Sequence, residues 1–276
     1  MTVSSSTADL PIGVFDSGVG GLTVLRELRR ALPLESTLYL GDTARVPYGT
    51  KSPATVVRYS RQNARLLAAR GIKFLVVACN TSSALAMEAL RHDFSFPMTG
   101  VIEPGAEAAC RATRARKIGV IGTSATIRSG AYTAALQARD ASIRVEGKAC
   151  PLLVALAEEG WTDGPLAELA AREYLSAFQR SAIDVLLLGC THYPLLAPVI
   201  SRVMGEGVQV IDSARATAAF VAKLLSQHQL AAPPGTAPRH GYLVTDSRER
   251  FLELAPRFLG MDLGGLVEEV GIPAEG

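Results

Sequence analysis

The sequence of 276 residues predicts an α/β fold of two pseudo-symmetric domains, each a mostly parallel sheet flanked by helices, with a site in the cleft between them. Three observations carry this prediction. Apolar, β-rich runs alternate with helical stretches along the chain. Three sequence landmarks recur in the same order at nearly constant spacing. One of those landmarks ends a strand-like run in a cysteine both times.

The alternation is clearest at the start. PIGVF (11–15) reads as a strand, GLTVLRELRRAL (21–32) as a helix, TLYL (37–40) as a strand, ATVVRYSRQNARLLAAR (54–70) as a helix and IKFLVVA (72–78) as a strand. Strands of a parallel sheet are covered on both faces, so they read as continuous apolar runs rather than alternating ones. Successive strand and helix signals of this kind specify βα units.

The repeat defines the halves. Ile12-Gly-Val-Phe-Asp-Ser parallels Ile118-Gly-Val-Ile-Gly-Thr at an offset of 106, and Cys79-Asn-Thr parallels Cys190-Thr at 111. GVIEPGA (100–106) parallels QVIDSAR (209–215), with Ile102 and Ile211 separated by 109. The expected domains are therefore 1–101 plus 213–276, and 102–212. Beyond residue 212 a helical run (214–230), a Pro- and Gly-containing linker, AAPPGTAPRH (231–240), strand-like YLVT (242–245) and helical SRERFLELAPRFLG (247–260) follow. These are expected to return to the first half.

Composition excludes several function classes. A hydrophobic share of 48% and a charged share of 20% are those of a globular protein. Net charge is +2 with both signs interspersed, which argues against a nucleic-acid surface. The densest basic run, Arg111 to Lys117, reads as the solvated end of a helix leading into a strand. No secretory signal pattern and no membrane-length apolar segment is present, so a cytoplasmic protein is expected. The four cysteines form no C-x-x-C and read as free thiols, Cys110 and Cys150 as small buried hydrophobes. The histidines at 92, 192, 228 and 240 are scattered, so no metal site is expected.

Ligands of open α/β sheets bind beyond the carboxyl ends of the strands. There Cys79 and Cys190 approach a shared cleft from opposite sides, each where a strand gives way to helix, so that helix amides are expected to lower the thiol pKa. A free thiol is only about 3% ionised at pH 7, so a modest shift makes it a base. Two opposed acid/base groups suit a reaction in which a proton leaves one face of a carbon and another arrives at the opposite face, that is, racemisation or epimerisation. DSGVGG (16–21) adds Asp16, Ser17 and glycines that let backbone N–H groups approach an anion. It lacks the third glycine of a dinucleotide fingerprint and the lysine of a Walker loop.

FDSGVGGLTVLREL (15–28), GDTARVPYG (41–49), ACNTSSA (78–84), GVIEPGA, IGVIGTSAT (118–126) and LLLGCTHYPLL (186–196) together resemble the glutamate racemases. The resemblance runs from about residue 11 to the FLG at 258–260. It implies cofactor-independent (PLP-free) interconversion of L- and D-glutamate for the bacterial cell wall, at a site between two α/β domains. It also implies that Cys79 takes the proton from the D-isomer and Cys190 from the L-isomer, with Asp16 assisting the first thiol and His192 with Glu158 the second. Substrate binding falls to Asp16 and Ser17, Tyr48 and Gly49, Asn80 and Thr81, Thr123, and Thr191 and His192. CPLLVALAEEG (150–160) carries Ala155 where the family more often has Pro, which bears on the choice of Glu158 over Glu159.

Blander readings exist for most of these residues. Asp16 serves equally as a helix cap and Tyr48 as a turn residue, and Glu103 and Asp212, which match across the repeat, read as helix caps. An aspartate racemase shares the same plan. A Cys–His acyl-transfer enzyme with Cys190 as nucleophile and His192 as base leaves Cys79 unexplained, and a non-catalytic small-molecule-binding regulator predicts dispensable thiols. Glutamate is the expected partner, with no nucleic acid and no membrane, and a homodimer is the expected assembly.

Overall fold

The computed structural model describes residues 7–272. Ten strands run β1 Ile12–Asp16, β2 Thr37–Gly41, β3 Phe74–Val77, β4 Met98–Gly100, β5 Lys117–Gly122, β6 Arg144–Ala149, β7 Val185–Gly189, β8 Gln209–Asp212, β9 His240–Val244 and β10 Val267–Glu269. Helices α1 Leu22–Ala31, α2 Pro53–Ala69, α3 Asn80–Leu85, α4 Met87–Asp93 and α5 Ile102–Ala112 belong to the first stretch of chain. They are followed by α6 Ser124–Arg128, α7 Ala131–Gln137, α8 Leu152–Glu159, α9 Pro165–Ser181, α10 Ala197–Met204, α11 Ser213–Gln227 and α12 Arg248–Leu259.

The strands form two sheets, ordered β10-β9-β2-β1-β3-β4 and β6-β5-β7-β8, with every pairing parallel. Stripped of β9 and β10, the first sheet repeats the strand order of the second: β1 and β5 are central, β3 and β7 lie beside them, and β4 and β8 close the edge. The sequence repeat is thus a repeat of topology. β1, β3 and β7 are buried throughout, as their uninterrupted apolar runs require. The weakest strand signal, RVEGKA of β6, is mostly exposed, because an edge strand needs little apolar cover.

The chain after residue 227 adds to the first sheet. β9 pairs with β2, placing Thr37 opposite His240, and β10 pairs with β9. The linker between is tied down where Ala232 N–H donates to Glu35 at 2.7 Å, and Glu35 itself forms a buried ion pair with Lys73 at 2.6 Å. One large apolar core extends from β1 and α1 through α11 to β7 and α10, and so joins the two sheets.

The basic run 111–117 spans the last turn of α5, a short turn and the first residue of β5, a helix end leading into a strand. It is held on the Asp184 carboxylate, which accepts from Thr113 Oγ1 at 2.6 Å and from the N–H groups of Arg114 and Ala115 at 2.5 and 2.7 Å. Asp212 caps α11, accepting from Ala214 N–H at 2.8 Å. Glu103 does not cap α5. Val101 holds the cap position, and the Glu103 carboxylate turns outward to pair with Arg139 at 2.8 Å. Cys150 is buried, but Cys110 on α5 is only half-buried. Among the described residues, no helix is long and apolar enough to cross a membrane.

Candidate active site

The cysteines after β3 and β7 line one cleft of about 330 Å³, together with residues from both sheets' carboxyl ends. This is the lower end of the range for small-molecule sites. All of the predicted site residues line it except Asp16, which lies fully buried behind Ser17.

On the first side, Cys79 is the cap residue of α3, and its sulfur accepts from Ser82 N–H at 3.5 Å and contacts Ser17 Oγ at 3.8 Å. The amide acts to lower the thiol pKa, as expected from sequence, but it is outweighed. Burial of the sulfur, reinforced by the Asp16 carboxylate, pushes it up to about 11, and one amide at the start of a six-residue helix does not offset desolvation. The Asp16 carboxyl is itself raised by burial, which the His192 charge and the Gly18 amide oppose. Gly18 N–H donates to it at 3.0 Å and Thr191 Oγ1, from the other sheet, at 3.4 Å.

The second side is different. Cys190 precedes a 3-10 turn (Tyr193–Leu196) rather than an α-helix, and its sulfur lies 3.8 Å from His192 Nδ1. The other ring nitrogen, Nε2, is 2.9 Å from Glu158 Oε1. Burial opposes a charge on His192, but hydrogen bonds to Cys190 and Glu158 overcome it and push the imidazole up to about 10. The same contact holds the Glu158 carboxyl below its ordinary value. Glu159 points away and faces Arg250 at 3.5 Å, so geometry separates the two glutamates. One thiol is therefore set beside a carboxyl and the other beside an imidazolium.

Hydroxyls and amides line the seam. Thr81 from α3 meets Thr123 at 2.9 Å and Thr126 at 3.2 Å, with Thr123 and Thr126 3.0 Å apart. Gly49 lies so close to this triad that a Cβ there would stand 2.6 Å from Thr123 Cβ. The Tyr48 hydroxyl is bound to the Asp42 carboxylate, and Asn63 Nδ2 donates to the phenol at 3.0 Å. Arg45 completes this buried network, 2.7 Å from Asp42 and with its guanidinium 4.1 Å from the Tyr59 ring centroid. Tyr48 is thus a buried, anchored wall residue rather than a turn residue alone.

The sequence profile of the Asp/Glu/Hydantoin racemase family matches residues 12–221. The chain is 54% identical to a glutamate racemase of Geobacter metallireducens over 96% of this chain and 97% of that one. It is 48% identical to one of Chlorobaculum parvum over 95% and 96%. The chain belongs to the Asp/Glu/Hydantoin racemase family. Its fold superimposes on the crystal structure of a glutamate racemase isoform from Bacillus anthracis with a TM-score of 0.92 at 40% identity, over 96% of this chain and 99% of that one. A glutamate racemase from Francisella tularensis, solved in complex with D-glutamate, superimposes with a TM-score of 0.89 at 36% identity, over 96% and 98%.

Several residues of this racemase-family site escaped sequence reasoning. Asp42 and Arg45 lie within GDTARVPYG, where an aspartate three residues before an arginine signals an ion pair but not its burial. Thr126 carries no signal beyond its place in IGVIGTSAT. Phe258, whose ring stands edge-on to His192 with centroids 5.2 Å apart, comes from α12, more than sixty residues away in sequence. Arg257 beside it donates to the Glu158 carbonyl at 2.5 Å. Among the described residues, no group of three or more His, Cys, Asp or Glu side chains is arranged to hold a metal ion.

Proposed function

We propose that this protein racemises glutamate by a two-base mechanism, with Cys79 and Cys190 as the bases. The observation that carries the reading is that two buried thiols from matched strand ends line a single small cleft. In the D-to-L direction, Cys79 as thiolate removes the α-hydrogen, forming its S–H bond and leaving the electron pair on Cα. The Cys190 S–H bond then breaks, its proton goes to the opposite face of Cα, and its electron pair stays on sulfur. The reverse direction exchanges the roles. The α-hydrogen is a weak acid, so donors aimed at the developing charge must supply much of the stabilisation. Asn80, the threonine hydroxyls and the surrounding amides are suited to this.

Asp16 assists Cys79, and His192 with Glu158 assists Cys190. Ser17, Tyr48, Gly49, Asn80, Thr81, Thr123, Thr191 and His192 bind the substrate. The residues 1–101 with 213–276, and 102–212, act as two domains that each contribute one thiol. The scheme needs no electron sink, and no lysine is among the described residues lining the cleft that could carry a PLP aldimine, which supports independence of PLP. The product serves peptidoglycan synthesis in the cytoplasm, and the protein acts as a homodimer without metal, nucleic acid or membrane.

Circular dichroism of D- and L-glutamate incubated with purified protein tests the activity. Decay of both signals to zero is expected, and inert glutamate with decaying aspartate would shift the assignment to an aspartate racemase. PLP added to dialysed protein should leave the rate unchanged. A Cys–His acyl-transfer reading has the 3.8 Å Cys190–His192 contact in its favour, but it gives Cys79 no task. α-Deuterium incorporation from deuterated water without hydrolysis separates the two.

A further inference from the structure

Tyr132, on α7, lines no part of the cleft, yet it lies between the two thiol-bearing segments. Its hydroxyl donates to Asn80 Oδ1 at 2.6 Å, and Asn80 directly follows Cys79. Its ring lies against Gly189, which directly precedes Cys190, so closely that a Cβ there would stand 2.9 Å from Tyr132 Cε2. Tyr132 is 3% and Asn80 2% exposed, so neither group is freely solvated.

The consequence lies in the other end of the amide. A primary amide has one acceptor oxygen and a two-proton nitrogen, and its orientation is fixed by whichever partner claims the oxygen. Tyr132 claims it, and Ser213 is the phenol's other hydrogen-bond neighbour, which leaves the phenolic proton for Asn80. Asn80 Nδ2 is thereby fixed as the remaining polar atom, and it is buried with no partner among the described residues. An unpaired buried donor is costly unless a ligand satisfies it. Asn80 lines the cleft, so the group that complements this donor is an acceptor oxygen of a bound ligand, which on the glutamate reading is a carboxylate oxygen.

We infer that Tyr132 is a positioning residue. By holding Asn80 Oδ1 it presents Nδ2 to a substrate carboxylate, and by packing on Gly189 it sets that carboxylate site against the Cys190 segment. This rests on the racemase reading above. The role is that of a positioning group, because the phenol acts through Asn80 and does not reach substrate.

The test is a double-mutant cycle of Tyr132→Phe and Asn80→Ala, read as KM and kcat for both glutamate enantiomers. Tyr132→Phe keeps the ring and frees the amide to turn, so KM should rise by about tenfold, the range for a hydrogen bond to a charged group, with kcat within about threefold. In the Asn80→Ala background the same substitution should add nothing. An unchanged KM in Tyr132→Phe, a loss confined to kcat, or the same added loss in both backgrounds overturns the inference. Should Tyr132→Phe not fold, an unchanged KM in Asn80→Ala still overturns the inference, since there would then be no substrate-binding amide for Tyr132 to position. Wild-type protein that leaves glutamate optically unchanged removes the functional reading itself. Wild-type racemisation with an unaffected Tyr132→Phe removes only this inference.

Discussion

A methyl group placed on Gly20 would stand 2.3 Å from Thr191 Oγ1, and 2.5 Å from two atoms of the His192 ring. The glycine loop after β1 and the segment after β7 are therefore in direct backbone-to-side-chain contact. The contact is pinned by Thr23 Oγ1, which bonds both Gly20 O and Thr191 O at 2.9 Å. Thr191 and His192 are both buried and line the cleft, so pressure from this side would push them toward it.

Gly20→Ala should displace the Cys190–His192 segment while leaving the sheets intact. Overpacking of this kind costs about 1–3 kcal/mol of stability. A shift of about 1 Å in a catalytic group costs about a hundredfold in rate. Thermal melts and kcat/KM on the same preparation should show a modest loss of stability beside a large loss of activity. Wild-type kinetics would show that the contact is not as tight as described.

The two thiols are separable by isotope exchange rather than by rate. Enantiomers have equal free energies, so any variant must lose kcat/KM equally in both directions. Cys79→Ser and Cys190→Ser should each abolish most racemisation. In deuterated water, however, Cys79→Ser should still exchange the α-hydrogen of L-glutamate, and Cys190→Ser that of D-glutamate, as followed by proton NMR. Full racemisation by either variant is incompatible with the two-base scheme.

The His192–Glu158 pair makes a pH prediction whose sign is fixed. His192 is raised from 6.5 to about 10, so its contribution to stability is complete below pH 6.5 and is lost as pH rises through about 10. Glu158 is held below its ordinary 4.5, so its contribution is present above that pH and lost as pH falls through the lowered value. Glu158→Gln should therefore cost most stability between about pH 4.5 and 6.5, and less toward either extreme. Urea denaturation across this range reads the difference. It should also move the alkaline limb of the kcat profile to lower pH, because the imidazolium loses its carboxylate. A uniform loss at all pH values would assign Glu158 a packing role instead.

Asp42 anchors the Tyr48 wall by binding its hydroxyl directly, and is itself fully buried and paired with the partly buried Arg45. Asp42→Ala leaves Arg45 without its carboxylate but with the Gln62 and Asn63 side-chain oxygens and some solvent, so the cost should stay below the roughly 3–5 kcal/mol of breaking a fully buried pair. Asp42→Asn retains an acceptor for Tyr48 and should cost less. Chemical denaturation of the two variants, with KM for glutamate, tests whether the network serves stability, the wall, or both.

The fold was legible wherever both faces of an element are buried. Strand signals at 11–15, 37–40 and 72–78 answer to Ile12–Asp16, Thr37–Gly41 and Phe74–Val77, and the helical stretch 54–70 to Pro53–Ala69. The apolar run and its abrupt end are local facts, so Cys79 and Cys190 could be found at strand ends from sequence. β6 was not legible, because an exposed edge strand leaves no apolar run.

Chemistry at the site was legible in residue identity but not in environment. The expectation of a lowered Cys79 pKa considered the helix amides and neglected burial, which depends on residues packed from elsewhere in the chain. The choice of Glu158 over Glu159 depends on which way one turn of α8 faces, and His192 decides it. Phe258 against His192 and Tyr132 against Asn80 are contacts between distant segments with no periodic signature.

The interlocking of Gly20 with Thr191, and of Gly49 with Thr123, restricts how such a chain can be recombined. Each wall of the cleft is shaped to the opposite half, so a chimera that takes one half from a distant relative inherits mismatched surfaces at the reacting carbon even when both sheets fold. Viable crossovers would have to carry the glycine loop and the Thr191–His192 segment together, so the two halves of a duplicated architecture evolve as a single heritable unit.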